Sequence, residues 1–185
     1  MRIVCISDTH GAHDQLRGVF TLPAGDVLIH AGDFTNTGTL AEVEQFNTWL
    51  GKLKFKHKLV VAGNHDTCLE QQPVQSRRLL TNCIYLQDSG CTIQDLKFWG
   101  SPWTIGGAAA RGSFTCVPMP DPLIPPEETD VLITHSGHAA CLTFETPEYT
   151  AQRMAEKPPE GMSFVSWMIK QNENARAACE ARNYH

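Results

Sequence analysis

The sequence has no C-x-x-C pair and no zinc-ribbon spacing among its seven cysteines, Cys5, Cys68, Cys83, Cys91, Cys116, Cys141 and Cys179. The odd count argues against a closed disulfide framework, and the thiols are read as reduced. No stretch approaches the roughly 18 consecutive apolar residues of a membrane span, so no membrane partner is expected. Basic residues are also short. Fifteen Lys and Arg against 20 Asp and Glu leave a formal net charge of -5, which excludes the basic surface that nucleic-acid backbones require. Cations bound locally would offset that charge where an anionic ligand docks. Internal repeats and low-complexity tracts are absent. The chain runs almost at once into a strand-like segment that meets Asp8, leaving no room for a signal peptide's apolar stretch. A cytoplasmic location is therefore the expectation. What remains is ordinary for a soluble globular protein, at 42% hydrophobic and 19% charged residues. A length of 185 residues suits one domain with a substantial core.

Four short apolar runs stand out: Ile3 to Ile6, Val27 to Ile29, Leu59 to Val61 and Val131 to Ile133. Runs of this kind without alternation predict strands covered on both faces. In "TLAEVEQFNTWLG" the residues Leu40, Val43, Phe46, Trp49 and Leu50 follow helical spacing. Thr39 and Glu42 have the order of a capping box, and Gly51 suits the stop. Strand, helix and strand thus follow one another from about residue 26 to 62, which favours an α/β class. Three β-prone pieces come next, Cys83 to Leu86, Cys91 to Gln94 and Lys97 to Trp99, and predict an antiparallel meander. Pro118 to Pro126 should be a surface loop. Met162 to Arg182 reads as a terminal helix.

"SDTH" (Ser7 to His10), "AGDF" (Ala31 to Phe34) and "AGNHD" (Ala62 to Asp66) each follow one of the apolar runs. Asp8, His10, Asp33, Asn64 and His65 would then collect where strands end, the usual place for a ligand in an open α/β sheet. Carboxylate, imidazole and amide donors without a thiolate suit manganese, iron, zinc or magnesium. A two-metal site requires such a cluster, with one carboxylate shared between ions about 3.5 to 4 Å apart, and Asp33 is the natural bridge. Singly, Asp-x-His, Gly-Asp and Gly-Asn are weak signals that turns also produce. Their order and shared placement carry the case.

At these residues the chain resembles the calcineurin-like metallophosphoesterases, whose pattern is D-x-H, G-D, G-N-H-[DE], a later T-H and a closing G-H-x-H. It is most similar to the small metallophosphoesterase-domain-containing subfamily, through "AGDFTNTG", "FNTWLG", "VVAGNHD", "YLQDSG" and "GSPWT". The motifs cover approximately residues 2 to 135. The resemblance implies an α/β sandwich of two β-sheets flanked by helices, and hydrolysis of phosphate esters, commonly phosphodiesters. It implies two divalent metal ions, with manganese expected and iron, zinc or magnesium open, and a small phosphorylated substrate as partner. By matching position, Asp8 and His10 would hold the first metal, Asp33 would bridge, and Asn64 and His135 would hold the second. His65 would sit over the phosphate as a catalytic residue, with Asp66 orienting its ring.

The pattern breaks after His135. No G-H-x-H occurs in the remaining chain, and Gly137-His138-Ala139-Ala140 has only its first half. A turn folding His138 back would make it a substitute ligand, but its apolar neighbours equally suit a packed segment. His185 is a weaker candidate at a terminus prone to fraying. Three protein ligands per cation can still suffice when water fills the other positions. The departure sets bounds of 1–144 for a metallophosphoesterase core and 145–185 for a divergent tail, with the second sheet incomplete at its C-terminal side. It also keeps open a catalytically impaired or noncatalytic, truncated family member that acts as a binding protein. His13, near His10, and Arg111, in "AARGSF", are candidate substrate-binding residues. His30 and His57 read as structural or solvent-facing, Cys141 as a small buried side chain, and Trp103 as a packing residue.

Overall fold

The apolar runs Val27 to Ile29 and Leu59 to Val61 find cover on both sides in the first sheet, whereas the run Ile3 to Ile6 leaves Cys5 exposed. The computed structural model describes residues 1–15, 21–105, 112–116 and 125–135. Strands β1 (Ile3–Ile6), β2 (Val27–Ala31), β3 (His57–Val61) and β4 (Ile84–Tyr85) form an all-parallel sheet in that order. Pairings such as Ile6 with His30 and His30 with Val60 bring the carboxyl ends of β1, β2 and β3 level. Leu28, Val60 and Ala62 face the helical layer, while Val27, Ile29, Leu59 and Val61 face a second sheet.

The second sheet consists of β5 (Ser89–Ile93), β6 (Leu96–Ser101) and β9 (Val131–Thr134), with β5 antiparallel and β9 parallel to β6. Between them β7 (Thr104–Ile105) pairs in parallel with β8 (Thr115–Cys116). Ile93, Phe98 and Ile133 meet the first sheet in a shared core with Leu86. The meander expected from Cys83 to Trp99 therefore holds only for the β5–β6 hairpin. Ile84–Tyr85 joins the parallel sheet instead, because helices α2 (Thr67–Gln71) and α3 (Pro73–Leu79) provide the crossover that a parallel neighbour of β3 requires. Likewise Val131–Thr134 lies in the second sheet rather than beside β1 to β3.

Helix α1 (Leu40–Gly51) packs Val43, Phe46, Trp49 and Leu50 inward. Its N-terminus is the expected capping box. Thr39 Oγ1 accepts from the Glu42 backbone N–H, and the Glu42 carboxylate accepts from the Thr39 N–H. Phe46 stacks on Phe34 at 4.2 Å between ring centroids and 13° between planes. Among the described residues no helix is long and apolar enough to cross a membrane. Cys5, Cys68, Cys83 and Cys91 are free thiols, and the other cysteine side chains lie outside the described residues. So do Arg111, His138, His185, the terminal helix and most of the proline-rich stretch.

Two stability predictions arise from α1. Phe46 is fully buried, so Phe46→Ala should cost about 3 to 5 kcal/mol, read as a lower urea midpoint at unchanged m-value. Glu42 concerns pH. Burial alone would raise its pKa, but donors from Thr39, Thr37 and Asn36 win and hold it at about 2, below the ordinary 4.5. Its contribution is thus complete above the unfolded value and is lost as pH falls through the folded one. Between those two values the urea midpoint should drop, and Glu42→Gln should flatten that part of the profile.

Candidate metal centre

The parallel register dictates where the chemistry gathers. Beyond the level ends of β1, β2 and β3 lie Asp8 and His10, then Asp33, then Asn64 and His65. Asp8, His10 and Asp33 all have left-handed backbones, with φ of 56°, 42° and 54°, a region that Asp and His tolerate better than most residues. Hydrogen bonds from Asp8 N to Gly32 O (2.9 Å) and from His10 N to Asp33 O (3.0 Å) lace the two loops together. Backbone strain of this kind clusters at functional sites.

Asp33 stands at the centre and is 3% exposed. Its Oδ1 accepts the His65 backbone N–H at 2.8 Å, while Oδ2 lies 3.4 Å from His135 Nε2 and 3.8 Å from His10 Nε2. His10 Nε2 is also 3.9 Å from Asp8 Oδ1. Ligand atoms of His10, Asp33 and His65 lie within 4.8 Å of one another, and so do those of Asp8, Asp33 and His135. Asp8 and His65 are exposed, so the centre opens to water on their side. Gly32 and Gly63 make the approach possible. A Cβ on Gly63 would overlap the Asp33 carboxylate, and one on Gly32 (φ +102°) would lie 2.6 Å from His135 Nδ1.

His135 arrives from the end of β9, across the gap between the sheets. Its Nδ1 is 3.0 Å from the Ala31 carbonyl, an acceptor only, so Nδ1 carries the proton and donates. The other nitrogen, Nε2, then faces Asn64 Oδ1 at 3.1 Å and Asp33 Oδ2 at 3.4 Å. Three acceptor atoms converge with no donor among them unless a proton or a cation sits between. Without a cation the neighbouring carboxylate shifts the ring toward its protonated form. Burial would lower the pKa of His135, but the Asp33 carboxylate outweighs burial and raises it. Asp33 responds oppositely, with burial raising its pKa and the bonds from His135 and His65 bringing it below the ordinary value. A carbonyl that fixes one ring nitrogen while the other faces an acidic cluster is a familiar arrangement for metal-ligating histidines. The donor set thus fits a divalent cation.

Two sequence expectations need correction. Asp66 does not hold the His65 ring: its carboxylate accepts from Thr35 N (2.8 Å), Thr35 Oγ1 (2.6 Å) and Gly63 N (2.8 Å). Its burial at the start of α2 points it back into the protein and raises its carboxyl to about 6 despite those three donors. The ring of His65 instead has Nδ1 2.9 Å from the Asn36 carbonyl, and it meets the His10 ring edge-on at 4.6 Å. His13 does not face a substrate. It is 2% exposed and packs on Phe46 and Trp49, an apolar contact that its short distance in sequence from His10 conceals.

Sequence reasoning passed over Thr35, Asn36 and Thr9. Thr35 ties Asp66 to the loop after Asp33. Thr9, between two candidate ligands, pairs through Oγ1 with Nε2 of fully buried His30 at 3.0 Å. Burial lowers the pKa of His30 to about 3, so this partner stays neutral. Asn36 and Thr37 are exposed, and a polar Thr-Asn-Thr run carries no signal of these bonds in the sequence. Trp103 packs against Phe114 and donates from Nε1 to Asp88 at 2.8 Å, in keeping with a packing role.

The sequence model of the calcineurin-like phosphoesterase family matches residues 1–159. Human metallophosphoesterase domain-containing protein 1 is 40% identical over 162 residues, covering 72% of this chain and 48% of its own length. A UPF0046 protein of Caenorhabditis elegans is 43% identical over 119 residues, covering 56% of this chain and 41% of its own. The chain therefore spans about half the length of these curated relatives. With the two-sheet fold, the buried Asp33 carboxylate at the centre of the site and a match over most of the sequence, the chain belongs to the calcineurin-like phosphoesterase family.

Proposed function

We propose that this protein hydrolyses phosphate esters, phosphodiesters in particular, with two divalent cations, manganese first, as cofactors. Its substrate would be a small phosphorylated molecule of the cytoplasm. The observation supporting this reading is the convergence of His135 Nε2, Asn64 Oδ1 and Asp33 Oδ2, acceptors that need a positive partner. Asp8 and His10 would hold one cation, Asn64 and His135 the other, and Asp33 both. Bound cations supply a water of lowered pKa and neutralise phosphoryl charge.

The chain's own groups do the rest. Asp33 is held for that task through Oδ1, which leaves Oδ2 toward the two histidines. Exposed His65 stands beside His10 with Nδ1 occupied, so Nε2 is the atom that gives a proton to the leaving oxygen or stabilises its charge. Asp66 supports the loop geometry beneath rather than the ring.

Hydrolysis of bis(4-nitrophenyl) phosphate with added manganese tests the reading. Asp33→Ala should lose both bound cation, counted by elemental mass spectrometry, and turnover. His65→Ala should keep the cations and, on a diester with a poor leaving group, lose about 10²- to 10⁴-fold in kcat. A chelator should abolish turnover in the unmodified protein, and manganese should restore it. Bound cations without hydrolysis of any phosphate ester would instead favour a binding protein.

A further inference from the structure

The imidazole of His65 lies at the surface, and the hydrogen bond that sets its rotation runs from Nδ1 to the Asn36 carbonyl. That carbonyl belongs to the loop between Asp33 and α1. The Asn36 N–H bonds to Glu42 Oε1 at 3.0 Å and the Thr37 N–H to the same oxygen at 3.1 Å. The Thr37 and Thr39 hydroxyls each reach Glu42 Oε2 at 2.8 Å, and the Thr39 N–H reaches it at 2.9 Å. One carboxylate gathers five donors, where a capping box needs only the Thr39 N–H.

The Thr37 N–H and the Asn36 C=O belong to one peptide unit, which is planar with the two groups pointing in opposite directions. That single plate therefore has the Glu42 carboxylate at one end and the His65 ring at the other. Rotating it to release Glu42 would also swing the carbonyl away from Nδ1. Hydrogen bonds in series polarise one another, so the anion strengthens the carbonyl as an acceptor for Nδ1–H. Which nitrogen of a neutral histidine keeps its proton is decided by the bond the ring makes. The same loop is pinned beside its target, with the Thr35 N–H and hydroxyl both donating to the carboxylate of Asp66, the residue after His65.

We propose that Glu42 is a positioning residue: through the Asn36–Thr37 peptide it fixes the rotation of His65 and keeps Nδ1–H on the carbonyl, the Nδ1–H tautomer when the ring is neutral, so that Nε2 faces the substrate side and is the nitrogen that takes up the second proton and passes it to the leaving oxygen. The inference rests on the proposed hydrolysis for its consequence in turnover, but not for its structural content. It assigns to an acidic residue in the first turn of a helix a duty beyond capping. Thr39→Ala provides the control, since it damages the cap and leaves the Glu42–peptide–His65 chain in place.

Two readouts test it. In the metal-free protein, long-range proton–nitrogen NMR of the His65 ring should show one Nδ1–H tautomer in the unmodified chain and in Thr39→Ala. Glu42→Ala should show a tautomer mixture. Glu42→Asp keeps the charge near the helix but draws it back by one methylene, folds more safely, and should show a smaller shift of the same kind. With manganese, Glu42→Ala should lose about tenfold or more in kcat on a diester with a poor leaving group, within the range for losing acid catalysis. KM and the rate on a good leaving group should change little. Retention of the single tautomer in folded Glu42→Ala and Glu42→Asp, or an equal shift in Thr39→Ala, overturns the proposal. If the tautomer responds but no phosphate ester is hydrolysed, the positioning role stands and the proposed activity falls.

Discussion

A carboxylate taken almost wholly out of water must find positive charge or donors, because an unpaired buried charge is strongly unfavourable. Asp33 meets this demand unevenly. One oxygen is satisfied by the His65 backbone N–H, and the other looks toward two imidazoles and the Asn64 amide oxygen through His135. Its lowered pKa and the raised one of His135 are two views of that imbalance. Either a proton on His135 or a cation can complete it, so the two compete. Ligand affinity in such a site falls as protons become available, and binding releases them.

The imbalance persists because the backbone around it is over-determined. Left-handed conformations at Asp8, His10 and Asp33 would relax if the loops were free. They are laced to one another by main-chain bonds from Asp8, His10 and Gly11 to Gly32, Asp33 and Phe34. Phe34 in turn is clamped into the helical core by its stack on Phe46. Thr35, the next residue, bonds Asp66 and so holds the third loop. Core packing, loop strain and ligand placement thus form one chain of cause, running from α1 to the carboxylate.

Much of this was legible in the sequence, and the exceptions have physical reasons. Strands β1 to β3 and α1 announce themselves by apolar runs, helical spacing and the Thr39–Glu42 pair. Asp8, His10, Asp33, Asn64 and His65 are brought together because parallel register forces residues after successive strands to one edge. What stayed hidden depends on direction or on the main chain. The Ala31 and Asn36 carbonyls that anchor two histidine rings have no residue signature. An aspartate directly after His65 could reach the ring or the backbone equally well, and only its burial at the start of α2 decides. Two residues of β4 say little about which sheet they join, since the crossover through α2 and α3 settles that.

His135 shows how far the site depends on tertiary packing. The other candidate ligands come from the first sheet, whereas this one ends β9 in the second. Its reach to Ala31 and Asp33 is set by the shared core of Val27, Ile29, Leu59, Val61, Phe98 and Ile133. A ligand held by residues of both sheets binds the packed state and not the separated one, so it stabilises the packing by its own binding free energy. The converse follows from the same linkage. Any substitution that loosens the contact between the sheets weakens the ligand first at the His135 side, while Asp8 and His10 keep their place beside β2.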